Sequence, residues 1–428
     1  MYVESLTYPE KKRYMKFAII SSCFGAVIQV AMSESSLFLL YASNIGAGKF
    51  LSLATTAIIP LMKLFFLIPF AYVMEKTGLK NFLLPAYTIG MLGMLTASSA
   101  GFFPDAGLYI FSIGVLVFAV SISGHSAGWF PLQRFIIPAS ERGAHFGKLR
   151  YSWQIVVSLF LLMAALVVDE QASVIKMQGI IAFGALLLIG RIYFVSRIPE
   201  RPPRTHLPPF RVMLYAALTN RKLLQYSFFM FLVNLLISST VPLGFAYLMF
   251  DLSVSDNLMV LFSVYSNIFT IAGFIIASKV IDQRSLQQLF RIIQIIFAGV
   301  NCAFLLFYLI PSATIPASVM LICLASASFA FCSVIVSAKM MGLTKENNIN
   351  ISMALCVGLS SGGMGLSRLI SSLAIEYLPD TVHLAGTGFP IYVIILFAFG
   401  LGIMAMLAFG KTRILQNSRK ERPLGEPL

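Results

Sequence analysis

The chain has 428 residues, of which 58% are hydrophobic and only 11% are charged, whereas about 25% are charged in an ordinary soluble domain. This composition excludes a soluble enzyme, a disordered protein and a nucleic-acid binder as first interpretations, and it predicts a chain that lies in a lipid bilayer. The net charge of +14 does not indicate nucleic acid, because the basic residues fall in short loops between apolar runs rather than along one face.

Twelve apolar runs follow one another along the chain, and each is long enough to cross a bilayer core of about 30 Å as a helix. Helices are predicted because a membrane span must satisfy its own backbone hydrogen bonds. The first run is too long for a cleaved signal peptide and lacks a small-residue cleavage site. The predicted spans cover residues 17–41, 50–74, 82–102, 107–131, 151–168, 175–196, 224–249, 257–278, 288–310, 315–338, 350–375 and 388–410.

The orientation of the spans is predicted from the distribution of Lys and Arg, which favour cytoplasmic loops. With the N-terminus in the cytoplasm, only Lys49 and Lys176 fall in external loops, and Lys63 and Arg368 lie within spans. The other basic residues then lie on the cytoplasmic side, together with the C-terminus. We therefore expect a multi-pass protein of a plasma membrane, and a bacterial inner membrane suits it best.

A Pro- and Arg-rich stretch at 197–223 divides the spans into six and six. It predicts an N-terminal six-helix bundle over residues 1–198, a cytoplasmic linker with an amphipathic helix over 199–223, and a C-terminal six-helix bundle over 224–428. The two halves match in hydropathy and loop length when the sequence is shifted by 207 residues, so that Glu75 falls on Asp282. Duplicated six-helix halves are typical of secondary transporters, whose substrate site lies between them near mid-membrane.

Two loop motifs carry a resemblance to a known family. Residues 71–83 resemble the loop 2–3 signature of the major facilitator superfamily, and Lys76, Gly78 and Lys80 match it in kind. The chain departs from the signature at three positions, with Ala71 in place of the first Gly, Glu75 in place of the Asp and Leu79 in place of a basic residue. Residues 137–147 resemble the Pro-x-x-x-Arg-Gly pattern of the family's loop 4–5. The resemblance covers all twelve spans and implies an all-α membrane fold of two six-helix bundles.

The resemblance also implies a cytoplasmic gate that is closed when the protein faces outward. Its residues here are Glu75, Gly78, Lys80, Arg142 and Asp282. Gly78 permits a tight turn with positive φ, and Glu75 can meet Arg142 or the amide-rich start of span 11 around 348–352. The alternative is that these are ordinary loop charges that stabilise the topology.

In this family, spans 1, 4, 7 and 10 face the central cavity, and polar residues at helical spacing on them and on span 8 are candidates for substrate contact. The alternative for the polar residues is that they only allow close helix packing. For the histidine, the alternative is a hydrogen-bonded packing role. The predicted substrate-binding residues are Gln29, Ser33, His125, Asn234, Ser238, Asn267 and Ser333.

Three charged residues lie deep within predicted spans. Glu34 is the only such acid, and a carboxylate there needs a partner, a wet cavity or a proton, so it is the predicted proton-coupling residue. The alternatives are hydration near the outer surface and a structural pair with Lys63 or Arg368. These two basic residues are predicted as buried charges, and an anionic substrate would explain either one.

Together these features predict a secondary active transporter that moves a small solute by alternating access, with protons as the hypothetical coupling ion. No Walker A sequence is present, and no catalytic residues, cofactor, metal site or nucleic-acid partner are indicated. The glycine run at 358–365 predicts close packing or a helix bend. A membrane receptor without flux and a membrane-embedded enzyme are the alternatives. We expect a monomer, and the substrate stays open among sugars, organic anions, nucleosides and drugs.

Overall fold

The computed structural model describes residues 6–134, 136–138, 141–200, 207–281, 285–343, 349–384 and 386–409. It contains twelve helical spans that are long and apolar enough to cross a membrane, so the predicted number of spans is confirmed. The twelve spans put both ends of the described chain on one side, here called the terminal side; the other is the opposite side. The spans are span 1 (Tyr8–Glu34 and Leu37–Asn44), span 2 (Lys49–Thr77), span 3 (Leu79–Ser98, then a 3-10 turn, Ser99–Phe102), span 4 (Gly107–Arg134), span 5 (Arg142–Val167), span 6 (Val174–Leu186 and Leu188–Arg197), span 7 (Arg221–Ile237 and Thr240–Phe250), span 8 (Asp256–Val280), span 9 (Leu286–Tyr308), span 10 (Thr314–Leu343), span 11 (Ile349–Tyr377) and span 12 (Ile391–Phe409).

Several helices are longer than the apolar runs that predicted them. Span 1 begins at Tyr8 rather than near residue 17, and span 5 begins at Arg142 rather than near residue 151. The added turns carry basic side chains on the terminal side. Lys and Arg are good helix formers, so the helix continues after the hydropathy signal has ended.

Spans 1 and 7 are each interrupted at a pair of serines. In span 1 the break follows Glu34, where Ser35 has an extended backbone conformation (φ −124°, ψ 168°). The Ser35 hydroxyl donates to the carbonyl of Ala31 (2.6 Å) and accepts from the amide of Leu37 (3.3 Å), which is how a serine side chain competes with the helical backbone pattern. In span 7 the break lies at residues 238–239. Carbonyls of the preceding turns are thereby released from the helical ladder.

The two halves of the chain pack together along spans 2 and 11 on one flank and along spans 5 and 8 on the other. Span 11 is a continuous helix, and its glycine run lies against its neighbours. A methyl group at Gly363 would overlap the backbone carbonyl of Phe231, and one at Gly365 would overlap Leu61. The run therefore provides close packing rather than a helix bend.

Two short elements lie outside the spans. A nine-residue helix, Phe210–Leu218, precedes span 7 within the predicted linker, and it buries Met213 while Tyr215 is 71% exposed. It packs against the terminal ends of spans 7 and 11. An antiparallel hairpin of two strands, Thr381–Leu384 and Thr387–Pro390, joins spans 11 and 12 on the opposite side.

Candidate functional site

The centre of the candidate site is Arg368 of span 11, which is 4% exposed. Its Nη1 donates to the carbonyls of Ser33 (3.1 Å) and Thr56 (2.8 Å), and its Nε lies 3.4 Å from the carbonyl of Ser238. Ser33 and Ser238 lie at the breaks of spans 1 and 7, where carbonyls are released from the helical ladder. Arg368 therefore binds backbone of both halves at once, and the two helix breaks make this contact possible.

Glu34 is the last residue of the first helix of span 1 and is half-buried. The cationic groups that act on it electrostatically are Arg368 first and Lys63 second. The two ion pairs closer than 4.0 Å among the described residues are both exposed and elsewhere, so neither cation is in direct contact with the Glu34 carboxylate. The structure brings the three predicted deep charges into one group without joining them as a salt bridge.

A second group of polar and aromatic side chains lies in the N-terminal half, nearer the terminal side. The hydroxyl of Tyr87 shares a hydrogen bond of 2.8 Å with Nδ1 of His125. The His125 ring lies 5.2 Å from that of Trp129. The Arg191 guanidinium carbon lies 5.5 Å from the centroid of the Tyr87 ring. Spans 3, 4 and 6 thus contribute one continuous row of side chains.

Of the three predicted amide ligands, Asn234 and Asn267 are engaged in hydrogen bonds. Asn234 donates to the hydroxyl of Ser360 (2.7 Å), which joins spans 7 and 11. Asn267 accepts from the side-chain amide of Gln154 and donates to the carbonyl of Ser263 (3.0 Å). The first pair lies within the C-terminal half, and the Gln154–Asn267 pair crosses between the halves at spans 5 and 8.

The predicted serines bond mainly to backbone. Ser33 donates to the carbonyl of Gln29 (2.9 Å), Ser238 to that of Met364 (3.2 Å), and Ser333 to that of Ala330 (2.7 Å). The backbone carbonyls of Ser33 and Ser238 both accept hydrogen bonds from Arg368. Gln29 is half-buried, one turn before Ser33. The structure therefore gathers part of the predicted set around the helix breaks and leaves Ser333 apart, on span 10.

On the opposite side of the molecule, hydrogen bonds and an ion pair join the two halves. The amide of Ser36 donates to the hydroxyl of Ser263 (3.0 Å) in span 8. At the loops, Asp256 accepts from the amide of Ala172 (2.8 Å). On the other flank, Lys49 and Asp380 form an exposed ion pair of 2.7 Å.

No protein-family model and no curated protein matches the sequence. Many solved structures match the chain, and three of those that cover nearly all of it illustrate the likeness. They are a D-xylose-proton symporter (11% identity, 94% of this chain and 97% of that chain, TM-score 0.69), a variant of the nucleoside transporter NupG (13%, 92% and 98%, 0.67) and the xylose transporter XylE from E. coli in a partially occluded inward-open conformation (12%, 100% and 100%, 0.63). The chain has the major facilitator fold. At these identities the likeness is one of fold alone.

Within the major facilitator fold, the predicted gate residue Glu75 lies on the terminal side, where span 2 meets span 11. Oε1 of Glu75 accepts from the side-chain amide of Asn350 (2.7 Å) at the start of span 11, which is one of the two partners expected for it. Gly78 ends span 2 with φ +98°, as its predicted turn requires. Lys80 bonds instead to span 6 and the residues after it, through Ser196 and Glu200.

Two predicted gate residues cannot be placed. The side chain of Arg142 and all of Asp282 lie outside the described residues. The terminal side has a further contact between the halves, because Arg150 of span 5 donates to the hydroxyl of Ser337 (3.1 Å) and lies over the ring of Phe274 (5.5 Å).

Sequence reasoning missed three residues of this region: Tyr87, Gln154 and Arg191. Arg191 had counted as a basic residue at the cytoplasmic end of span 6, because it lies only six residues before Arg197. The structure buries it to 2% exposure. The one sequence signal was Gly25, which leaves the space on span 1 that the Arg191 guanidinium fills, but a single glycine does not reveal its neighbour.

Proposed function

We propose that this protein is a secondary active transporter that moves a small solute across a bacterial plasma membrane by alternating access, coupled to protons through Glu34. The observation that carries the proposal is Arg368 in span 11, which binds carbonyls of spans 1 and 2 in one half and span 7 in the other. Arg368 is a buried cation that bridges the two halves beside a half-buried acid. This arrangement favours a mechanism in which relative movement of the halves is linked to protonation of the acid.

Alternating access requires the opposite side to open. The contacts that must then break are those between the halves: Arg368 with Ser33 and Thr56, and Ser36 with Ser263. The bond from Arg368 to Ser238 lies within the C-terminal half and can stay. Opening therefore carries the guanidinium away from Glu34, which belongs to the N-terminal half.

This movement supplies the coupling step. A nearby cation favours the carboxylate form of an acid, and its removal favours the protonated form. Glu34 would therefore take up a proton while the opposite side is open and Arg368 is distant. On closure Arg368 returns beside Glu34, and this is the step at which we expect the proton to leave towards the terminal side. If that side is cytoplasmic, the cycle moves protons inward with the solute.

The experiment begins with a thermal-shift screen of the purified protein against sugars, nucleosides, organic anions and lipophilic drugs, at acidic and alkaline pH. A ligand that binds only the folded state raises the melting temperature. The labelled hit is then offered to proteoliposomes with and without an inward proton gradient. Glu34→Gln should abolish gradient-driven accumulation and leave solute exchange intact, because exchange returns the loaded carrier without a proton cycle.

Glu376→Gln is the matched control, since Glu376 is an exposed acid near the end of span 11. It should accumulate solute like the wild type. Full accumulation by Glu34→Gln would refute the coupling role while leaving transport intact. Binding of the hit without any flux in the wild-type protein would favour a receptor over a transporter.

A further inference from the structure

The interior of the described spans is unbalanced in charge. Two arginines are fully buried, Arg191 at 2% and Arg368 at 4% exposure, whereas none of the described Asp and Glu side chains is fully buried. Lys63 and Glu34 are half-buried and offset one another. A buried charge is costly unless it is paired and hydrogen-bonded. Each buried arginine should therefore have groups nearby that accept its N–H hydrogen bonds.

The two arginines differ in this respect. Arg368 has carbonyl partners in three spans. Arg191 has buried Nε and Nη1 atoms that find no acceptor in the part of the chain that the structure describes. Its guanidinium lies in the space left by Gly25 of span 1 and over the ring of Tyr87. An aromatic face attracts the cation, but it accepts none of the N–H bonds that a guanidinium must make.

The groups next to Arg191 fit an anionic solute. The hydroxyl of Ser21, one turn from Gly25 on span 1, is also buried without a partner among the described residues. The pair formed by Tyr87 and His125 adds polar edges, and Trp129 adds a flat apolar face beside His125. A guanidinium fork matches the paired oxygens of a carboxylate or a phosphate.

We propose that Arg191 binds the anionic group, a carboxylate or a phosphate, of a small organic solute, while Trp129 contacts the organic part. The inference rests on the proposed transport function, since it names the substrate class. It places the anion in the N-terminal half, on spans 1, 3, 4 and 6, apart from the Glu34–Arg368 group that we assign to coupling.

The first test needs no known substrate. The melting temperature of the purified protein is measured without added solute for the wild type, Arg191→Met and Arg197→Met. Arg191→Met removes a buried cation whose Nε and Nη1 find no acceptor among the described residues, so it should melt at a higher temperature than the wild type. Arg197 is exposed on the same helix, and its replacement should leave the melting temperature unchanged. A lower melting temperature for Arg191→Met would mean that the guanidinium is structural and would overturn the proposal.

The second test measures binding with matched probes: benzoate against benzyl alcohol, gluconate against sorbitol, and glucose 6-phosphate against glucose. The chain has two tryptophans, so Trp153→Phe leaves Trp129 as the single fluorescent reporter. At least one anion should change its fluorescence and raise the melting temperature, and its neutral match should not. Arg191→Met should weaken that binding about 10- to 100-fold, as expected for lost charge-assisted hydrogen bonds, and Arg191→Lys should retain part of it.

Equal binding of the charged and neutral member of every pair would overturn the inference. An Arg191-dependent shift produced by phosphatidylglycerol nanodiscs, with none of the soluble anions active, would identify a lipid phosphate and also overturn it. Accumulation of a neutral solute by Arg191→Met at the wild-type rate would refute the anion class but leave transport standing. If the wild type moves no solute at all, transport fails, and the melting and binding tests still decide the anion site.

Discussion

Replacement of Arg368 by Met should shift the protein towards a conformation that is open on the opposite side. The guanidinium makes two short hydrogen bonds between the halves, to Ser33 (3.1 Å) and Thr56 (2.8 Å). A hydrogen bond to a charged group contributes about 1.5–3 kcal/mol, so the closed state should lose at least about 3 kcal/mol relative to the open state. At about 1.4 kcal/mol per tenfold change, this is a shift of about a hundredfold or more in the equilibrium constant.

The shift can be measured as a distance between spin labels on the opposite side. Asp105 and Ser312 are exposed loop residues in the N- and C-terminal halves, and cysteines at both positions can be labelled after the five native cysteines have been replaced. Arg368→Met should populate a longer distance than the wild type. Arg368→Lys keeps the charge without the fork, and it should fall between them.

Lys49→Gln is the control, because Lys49 also bridges the halves on that side, through Asp380. That pair is exposed, and exposed ion pairs contribute only about 0–1 kcal/mol. Lys49→Gln should therefore change the equilibrium constant between the closed and open states by no more than about fivefold. Indistinguishable distance distributions for Arg368→Met and the wild type would refute the role of Arg368 in holding the halves together.

Two further predictions concern stability. Gly363→Val should lower the melting temperature strongly and reduce the yield of folded protein, since the side chain would overlap the carbonyl of Phe231 and overpacking costs about 1–3 kcal/mol or more; a wild-type melting temperature would contradict the close packing of spans 7 and 11. Asp251, in the loop between spans 7 and 8, has a pKa that partial burial raises, with Lys49 opposing this. A folded-state pKa above the unfolded value stabilises the protein at acidic pH and loses this contribution as the pH rises through it. The wild-type melting temperature should therefore fall relative to Asp251→Asn between strongly and mildly acidic pH, and parallel pH curves would contradict the assignment.

The fold could be predicted from sequence because its determinants are local. Twelve apolar runs, each of membrane length, give the number and order of spans. The division at the polar stretch between runs six and seven stays a prediction. The positive φ of Gly78 followed from its place in a tight turn. The ends of the spans were predicted less accurately, because spans 1 and 5 continue through basic residues whose low hydropathy predicts a loop.

The candidate site was only partly predictable, because it depends on where helices break. Glu34, Lys63 and Arg368 stood out as charges within apolar runs, yet nothing in the sequence showed that Arg368 binds carbonyls of spans 1, 2 and 7. Ser-Ser pairs mark both breaks, but such pairs also occur elsewhere in the chain. Arg191 was missed for a related reason, since depth in a bundle cannot be read from distance to a helix end.

The breaks in spans 1 and 7 explain how the two deep charges can have separate roles. If Arg368 relied on Glu34 for its partner, a direct salt bridge would hold the carboxylate in its charged form and oppose a proton cycle. The carbonyls of Ser33 and Ser238 at the breaks and that of Thr56 within span 2 satisfy the guanidinium instead, so Arg368 can hold the halves together without contact with the acid. The effect of the cation on Glu34 then depends on the distance between the guanidinium and the carboxylate, and alternating access changes this distance. On this reasoning, the carbonyls released at the helix breaks allow Arg368 to have two roles. Its hydrogen bonds hold the halves together, and its charge acts on Glu34 only while the halves are together.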